Sequence, residues 1–201
     1  MIATEKKAPL VLILGAPGAG KGTQAERIAQ FLNVPSISTG AIFRQNIKEE
    51  TELGKRANEF ISKGEFVPDS VTNPMVAARL EAPDVDNGCL LDGYPRTVEQ
   101  AHYLRDALAS KGKEIDLVLE IVTNQEEVIA RLLKRAEIEH RADDNEEVIR
   151  HRMEVYREMT EPMATYYADQ DKLVQVDGMG TIDEVWARIE KALLDAGFAR
   201  N

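Results

Sequence analysis

Near the N-terminus of this 201-residue chain, Leu10-Val-Leu-Ile-Leu14 runs directly into Gly15-Ala-Pro-Gly-Ala-Gly-Lys-Gly-Thr23. The aliphatic run is typical of a strand buried in a parallel sheet. Apolar residues at helical spacing then predict a helix over residues 21–32. A glycine-rich turn between a strand and a helix lets backbone N–H groups surround an anion, and the helix dipole favours negative charge there. The pattern therefore predicts a phosphate site, to which Lys21 adds a full positive charge.

The spacing within this turn departs from the general phosphate-loop pattern in one place. That pattern has Ser or Thr directly after the lysine, whereas here Gly22 follows Lys21 and Thr23 comes one residue later. Glycine also allows close approach of the backbone to a ligand. The residues expected to contact the phosphates are Gly18, Ala19, Gly20, Lys21, Gly22 and Thr23.

The rest of the chain alternates short apolar runs with longer amphipathic segments. Four more runs predict strands, at residues 35–38, 89–91, 117–122 and 173–176. Helical patterns include residues 182–193 and a long polar region, 143–169, that Pro162 interrupts. The alternation predicts an α/β fold, with a central five-stranded parallel sheet between two layers of helices. Ligands of such sheets bind beyond the carboxyl ends of the strands.

Composition and charge exclude several classes of function. The net charge of -10 argues against a general nucleic-acid or anionic-membrane partner. Cys89 is the only cysteine, so no disulfide framework and no cysteine-based zinc site can form within one chain, and a reducing cytoplasm is the expected location. The apolar run at residues 10–14 is too short for a secretion signal or a membrane span.

Several further motifs resemble those of the adenylate kinases, which are nucleoside-monophosphate kinases, and they occur in the same order. The resemblance extends over residues 9–195. The motifs are the Gly15–Thr23 turn, Ser38-Thr-Gly40, Leu53-Gly54, Leu91-Asp-Gly-Tyr-Pro-Arg-Thr97, Gln100, Arg141-Ala-Asp-Asp144 and Val176-Asp-Gly178.

The resemblance implies one kinase domain over residues 1–201 with two excursions from its core. The core would comprise residues 1–38, 68–135 and 143–201. Residues 39–67, which are polar with mostly helical patterns, would form the insert that binds the nucleoside monophosphate. Residues 136–142 would form a short lid, as in short-lid relatives that lack zinc. The implied activity is reversible phosphoryl transfer, ATP + AMP = 2 ADP, with Mg²⁺, by a monomer.

Site residues follow from the same resemblance. Arg135 and Gly180 would join the phosphate loop in binding ATP, and Asp92 would hold Mg²⁺ through water. The AMP site would comprise Thr39, Arg44, Glu65, Phe66, Val67, Gly93, Tyr94, Pro95, Arg96, Gln100, Arg141 and Arg152.

Positive charge is the common feature of the residues expected to act in catalysis. A phosphoryl-transfer site must align donor and acceptor and spread cations over the transferred oxygens. Arginine suits this task because its planar fork binds phosphate oxygens bidentately. The expected catalytic residues are Lys21, Arg96, Arg135, Arg141 and Arg152. Asp143 or Asp144 is expected to cap the helix that carries Arg152.

Alternatives remain at this stage. Thr39 could serve only as a helix N-cap, Gln100 could be a solvated helix residue, and Gly180 could belong to an ordinary loop. A UMP/CMP kinase is the nearest alternative function, and the residues that discriminate are Thr39 and Gln100. A GTPase-like switch would need a guanine-reading Asn-Lys-x-Asp element, which the sequence lacks.

Overall fold

The computed structural model describes residues 8–139 and 145–199. The strands are β1 (Leu10–Gly15), β2 (Ser36–Ser38), β3 (Cys89–Asp92), β4 (Leu117–Val122) and β5 (Leu173–Asp177). They form one parallel sheet in the order β2-β3-β1-β4-β5. The predicted α/β fold with five parallel strands is confirmed.

Helices cover both faces of the sheet and extend beyond its carboxyl edge. In the described ranges the α-helices are α1 (Lys21–Leu32), α2 (Thr39–Lys48), α3 (Glu52–Ile61), α4 (Asp69–Arg79), α5 (Val98–Ala109), α6 (Gln125–Glu139), α7 (Glu146–Val155), α8 (Pro162–Ala168) and α9 (Ile182–Asp195). A 3-10 turn spans Pro83–Val85, and a π-helical segment, Tyr156–Thr160, links α7 to α8.

Successive residues of β1 point into opposite cores. Leu12 packs with residues of α4, α5 and α8, whereas Ile13 packs with residues of α1 and α9. Both side chains are almost fully buried. Because successive side chains of a strand point to opposite faces, a run that is apolar throughout requires a helical layer on each side. The hydrophobic run of β1 thus places the turn that follows it at the carboxyl edge of a three-layer core.

The segment between β2 and α4 forms a helical excursion with a small core of its own. Phe43, Ala57 and Val67 are its buried residues. A Cβ at Gly54 would stand 2.1 Å from the Asn46 carbonyl oxygen, so glycine is required where α2 and α3 approach each other. This close contact explains the Leu53-Gly54 motif in structural terms.

The region around the expected lid is described only in part. Helix α6 continues through Glu139, so the first four residues of the expected lid are helical. Residues 140–144 lie outside the described ranges. Asn145 is the N-cap of α7, and its side chain accepts a hydrogen bond from Val148 N. The cap predicted at Asp143 or Asp144 is therefore wrong, because the helix begins after both residues.

No helix in the described part of the chain is long and apolar enough to cross a membrane.

Candidate active site

The phosphate loop leaves β1 at its carboxyl end and enters α1 at Lys21. Gly18 and Gly20 have φ values of 81° and 92°, in the left-handed region that favours glycine. The Lys21 ammonium group donates hydrogen bonds to the carbonyl oxygens of Gly15 at 2.6 Å and Ala16 at 2.9 Å. The loop thus folds around the lysine, with the N-terminus of α1 directed at the same space.

The glycines of this loop differ in what surrounds them. A Cβ at Gly18 would stand 2.7 Å from Leu132 Cγ, so this glycine allows α6 to pack on the loop. A Cβ at Gly20 or Gly22 would meet no described atom within 4 Å. The open side of the loop therefore lies at Gly20 and Gly22, where a ligand could approach the backbone.

Several charged groups act on Lys21. Burial is the main reason that the pKa of its ammonium group falls from 10.5 to about 8. The Asp92 carboxylate opposes this shift, and the positive charges of Arg96, Arg152 and Arg135 contribute to it. Four cationic side chains thus converge on one place, although the whole chain has a net charge of -10. Such a site favours a polyanion, whose negative charge would offset the repulsion among the cations.

Asp92 is the negative group in this cluster. It ends β3 and stands in register with Ile13 of β1, two residues before the phosphate loop begins at Gly15. Within residues 8–139 and 145–199, no group of three or more His, Cys, Asp or Glu side chains is placed to hold a metal ion.

The turn after β3 is organised around the carbonyl oxygen of Gly93. The Thr39 hydroxyl and the Arg96 Nε each donate a hydrogen bond to it at 2.8 Å. Gly93 has a φ of 78°, and a Cβ there would crowd both partners at 3.1 Å. The Arg96 guanidinium also lies 5.0 Å from the centroid of the Phe66 ring, which is a cation–π contact.

Two alternatives considered for Thr39 and Gln100, a helix N-cap and a solvated helix residue, are wrong. Ser38, not Thr39, caps α2, because its side chain accepts from Ala41 N. Gln100 is only 2% exposed and so is no solvated helix residue. Its Oε1 accepts from the Arg96 backbone N–H at 2.8 Å, and its Nε2 donates to Asp69 Oδ1 at 2.7 Å.

One cleft at the carboxyl edge of the sheet brings most of the predicted residues together. It lies between the phosphate loop, the helical excursion and the segment from α7 to α8. The predicted residues that line it are Lys21, Thr39, Arg44, Glu65, Phe66, Val67, Gly93, Pro95, Arg96, Gln100 and Arg152.

Comparison with known proteins agrees with this geometry. A family model described as adenylate kinase matches residues 13–172. The chain belongs to the adenylate kinase family. A curated adenylate kinase from Leifsonia xyli subsp. xyli is 51% identical over 187 residues, which cover 93% of this chain and 94% of the relative. One from Pseudarthrobacter chlorophenolicus is 53% identical over 91% of this chain and 95% of its own length. One from Mycobacterium bovis is 50% identical over 91% and 98%.

Not every residue expected from the adenylate kinase family lines the cleft. The Tyr94 side chain is buried in the core, and its hydroxyl donates to Asn73 Oδ1 at 2.8 Å. Gly180 precedes α9, where a Cβ would stand 2.6 Å from a Glu184 carboxylate oxygen that caps the helix. Arg135 lies on α6, within electrostatic reach of Lys21. Arg141 lies outside the described residues.

The cleft also contains residues that the sequence did not single out. Phe43, Thr72, Tyr156 and Thr160 line it. Thr160 donates from Oγ1 to the Arg96 carbonyl oxygen at 2.7 Å, which ties the π-helical segment to the turn after β3. For Tyr156 and Thr160 the sequence offers one signal: they are four residues apart, a spacing that places two side chains on the same face of a helix.

Proposed function

We propose that this member of the adenylate kinase family transfers the γ-phosphoryl group of ATP to AMP and releases two molecules of ADP. One observation carries the proposal. Lys21 of the phosphate loop lies within electrostatic reach of Arg96 and Arg152, and those two arginines line the same cleft as Thr39 and Gln100. A triphosphate cradle and an acceptor pocket thus meet at a cluster of cations, which is what phosphoryl transfer requires.

The donor half binds ATP through the phosphate loop. Backbone N–H groups of Gly18 to Thr23 surround the β- and γ-phosphates, and the Lys21 ammonium group leaves its carbonyl partners to contact them. Arg135 approaches from α6. We propose that the adenine lies beside the loop before α9, where Gly180 leaves the backbone accessible. The absence of a side chain at Gly180 also leaves room for the Glu184 carboxylate that caps the helix.

Asp92 fits a role with Mg²⁺. Its carboxylate stands beside the phosphate loop, in register with Ile13 and within electrostatic reach of Lys21. A single carboxylate suits Mg²⁺, which keeps several waters and is held largely by substrate phosphates. When bound with ATP, the ion would supply positive charge to the phosphate oxygens. Asp92 would orient the water molecules around it.

The acceptor half binds AMP through side chains from several elements. Arg44 and Arg96 contact its phosphate, Thr39 and Gln100 contact the base, and residues 65–67 contribute backbone contacts. The Gly93–Arg96 turn forms the floor. Gly93 has no side chain, so the base can approach the backbone there, and the Thr39 and Arg96 contacts hold the turn in place.

Catalysis then requires positioning and charge rather than a general base. The phosphate of AMP is already an anionic nucleophile. Arg96, Arg135 and Arg152 neutralise the charge that spreads over the transferred oxygens. We propose that Arg141 joins them when the short lid closes, and that the insert and the lid together exclude water, which would otherwise hydrolyse ATP. We further propose a cytoplasmic monomer.

An assay of ATP-dependent ADP formation tests the proposal. AMP, CMP, UMP and GMP are compared as acceptors, each with and without Mg²⁺. We expect AMP to have the highest kcat/KM and turnover to depend on Mg²⁺. A higher kcat/KM for CMP or UMP than for AMP would identify a pyrimidine nucleotide kinase instead. ATP hydrolysis without any acceptor dependence would exclude kinase activity.

A further inference from the structure

The amide of Gln100 is held from two sides by groups of opposite character. A side-chain amide offers two N–H donors and an oxygen with two acceptor positions. Asp69 takes one donor, and the backbone N–H of Arg96 takes one acceptor position. Because Gln100 lines the cleft, one N–H and one acceptor position remain for a ligand.

The two partners also determine which end of the amide is which. A carboxylate such as that of Asp69 only accepts hydrogen bonds, and a backbone N–H such as that of Arg96 only donates. If the Gln100 amide turned over, its oxygen would face the Asp69 carboxylate and its NH₂ would face the Arg96 N–H. Both hydrogen bonds would be lost, because acceptor would face acceptor at Asp69 and donor would face donor at Arg96. The cost in free energy would be greatest at Asp69, whose carboxylate is charged.

Other contacts hold this arrangement rigid. The Gln100 backbone N–H donates to Thr97 Oγ1 at 3.1 Å, which anchors the first turn of α5. Asp69 is the first residue of α4, and Asn73, one turn later, accepts from the Tyr94 hydroxyl at 2.8 Å. Helix α4 therefore contacts both ends of the segment from Tyr94 to Gln100.

We propose that Asp69 is a specificity-determining positioning residue, which locks the Gln100 amide in the orientation that accepts 6-amino bases and rejects 6-oxo bases. Adenine presents an acceptor at N1 and a donor at its 6-amino group, which match one N–H and one oxygen of the amide. Hypoxanthine presents a donor at N1 and an acceptor at O6, which match only the reversed amide. The lock rests on the proposed function, since it acts on the base of the acceptor.

The lock makes a prediction that separates it from simple support of the fold. Cytosine presents an acceptor at N3 and a donor at its 4-amino group, so its edge has the same pattern as that of adenine. Uracil and guanine have the reversed pattern. Loosening the amide should therefore change the preference for AMP over IMP but not the preference for AMP over CMP. General damage to the pocket would not distinguish between these two ratios.

The test uses Asp69→Asn in the full chain. An asparagine can present either a donor or an acceptor to Gln100, so residue 69 would no longer fix the orientation of the Gln100 amide. The substitution preserves the shape of the side chain at residue 69. We expect the ratio of kcat/KM for AMP to that for IMP to fall at least about tenfold, as the loss of a charged hydrogen bond implies. The ratio for AMP over CMP should stay within about twofold. Where IMP turnover is too slow, titration calorimetry gives the corresponding ratio of dissociation constants.

Glu99→Gln is the matched control. Glu99 is exposed in the first turn of α5, beside Gln100, so this variant removes one negative charge nearby but leaves the contact between Asp69 and Gln100 in place. We expect both ratios to stay at their wild-type values. Melting temperatures establish that each variant is folded.

Asp69→Ala provides a second route, since it removes the acceptor without adding a donor. It should lower the AMP-over-IMP ratio by a smaller factor than Asp69→Asn. An unchanged AMP-over-IMP ratio in either folded variant overturns the proposal, as does an equal loss of activity towards all acceptors. A wild-type protein that does not phosphorylate AMP would instead refute the proposed function, which keeps the two failures distinct.

Discussion

The two halves of the cleft are built in different ways. The donor half is one contiguous turn, in which backbone N–H groups and a single lysine converge within nine residues, Gly15 to Thr23. The acceptor half takes single side chains from separate elements: Thr39 from α2, Arg96 from the turn after β3, and Gln100 from α5. The first half depends on the conformation of a short segment, and the second depends on how distant elements pack.

This difference implies different kinds of failure. Substitutions in the loop should remove charge or strain the backbone, and so should impair transfer to every acceptor. Substitutions in the acceptor half should each remove one or two hydrogen bonds, and so should mainly alter how AMP binds. Substitutions of Lys21 and Thr39 best distinguish these two kinds of failure, because they remove an ammonium group from the loop and a hydroxyl group from the acceptor half.

The largest expected effect is that of Lys21→Met. The variant keeps a long unbranched side chain but removes the only lysine charge in the phosphate loop, so kcat should fall about 10²-fold or more. The loss should be similar for every acceptor that the wild-type protein uses. Steady-state kinetics measure it, and a melting temperature close to that of the wild type establishes folding. Full activity in this variant would refute the role of the loop in catalysis.

A second prediction compares two glycines of the loop. Gly18→Ala combines a positive φ with a Cβ 2.7 Å from Leu132 Cγ, so it should lower the free energy of unfolding by about 2–4 kcal/mol. Gly22→Ala lies in helical backbone with open space around its Cβ, and should leave stability unchanged or raise it by up to about 1 kcal/mol.

Urea denaturation measures both values. Equal destabilisation by the two substitutions would contradict the distinction between a glycine that allows packing and one that lines open space.

The third prediction concerns pH. Because the pKa of Lys21 is lowered to about 8, the ligand-free protein should lose this charge as the pH rises above 8. The kcat/KM for ATP should then fall about tenfold per pH unit, and Lys21→Met should lack this inflection. A flat profile for the wild-type protein between pH 7 and 10 would contradict the environment assigned to the lysine.

The lowered pKa of Lys21 also affects the free energy of unfolding, which should rise over the pH range in which the kcat/KM for ATP falls. The folded state holds this proton less tightly than the unfolded chain, whose lysine has a pKa of 10.5. The cost of the buried charge is fully present below pH 8 and is relieved as the pH rises from 8 towards 10.5. The Lys21→Met protein should lack this contribution.

The smallest effect is expected from Thr39→Val. It removes the hydroxyl that donates to the Gly93 carbonyl at 2.8 Å while preserving the shape of the side chain. The KM for AMP should rise about 5–10-fold, as the loss of one hydrogen bond implies, and the KM for ATP should stay unchanged. Thr39→Ser keeps the hydroxyl and should restore most of the affinity for AMP. A rise in the KM for ATP alone would contradict the assignment of Thr39 to the acceptor half.

The contiguous parts of the molecule were predictable from the sequence. An uninterrupted aliphatic run indicates a buried strand, and the glycines and lysine after it indicate a phosphate loop, because the information lies within one segment. Thr39 and Gln100 were found through the resemblance of whole motifs. Their partners, the Gly93 carbonyl and Asp69, are 54 and 31 residues away in sequence.

What the sequence did not reveal depends on long-range packing. Tyr94 lies within a motif expected to line the site, yet its side chain fills the core, because the turn directs successive residues to different sides. Thr160, which donates to the Arg96 carbonyl oxygen, lies in a π-helical segment that no residue pattern in the sequence predicts. The Asn145 cap was missed because the acidic residues before it offered the same capping chemistry.

The central claim is that the two halves form one site for two nucleotides. Titration calorimetry with a bisubstrate analogue, two adenosines joined through five phosphates, tests it most directly. We predict one analogue bound per chain, displaced by ATP and by AMP, and weakened by both Lys21→Met and Thr39→Val. Two analogues bound per chain, or displacement by ATP alone with affinity unaffected by Thr39→Val, would contradict it.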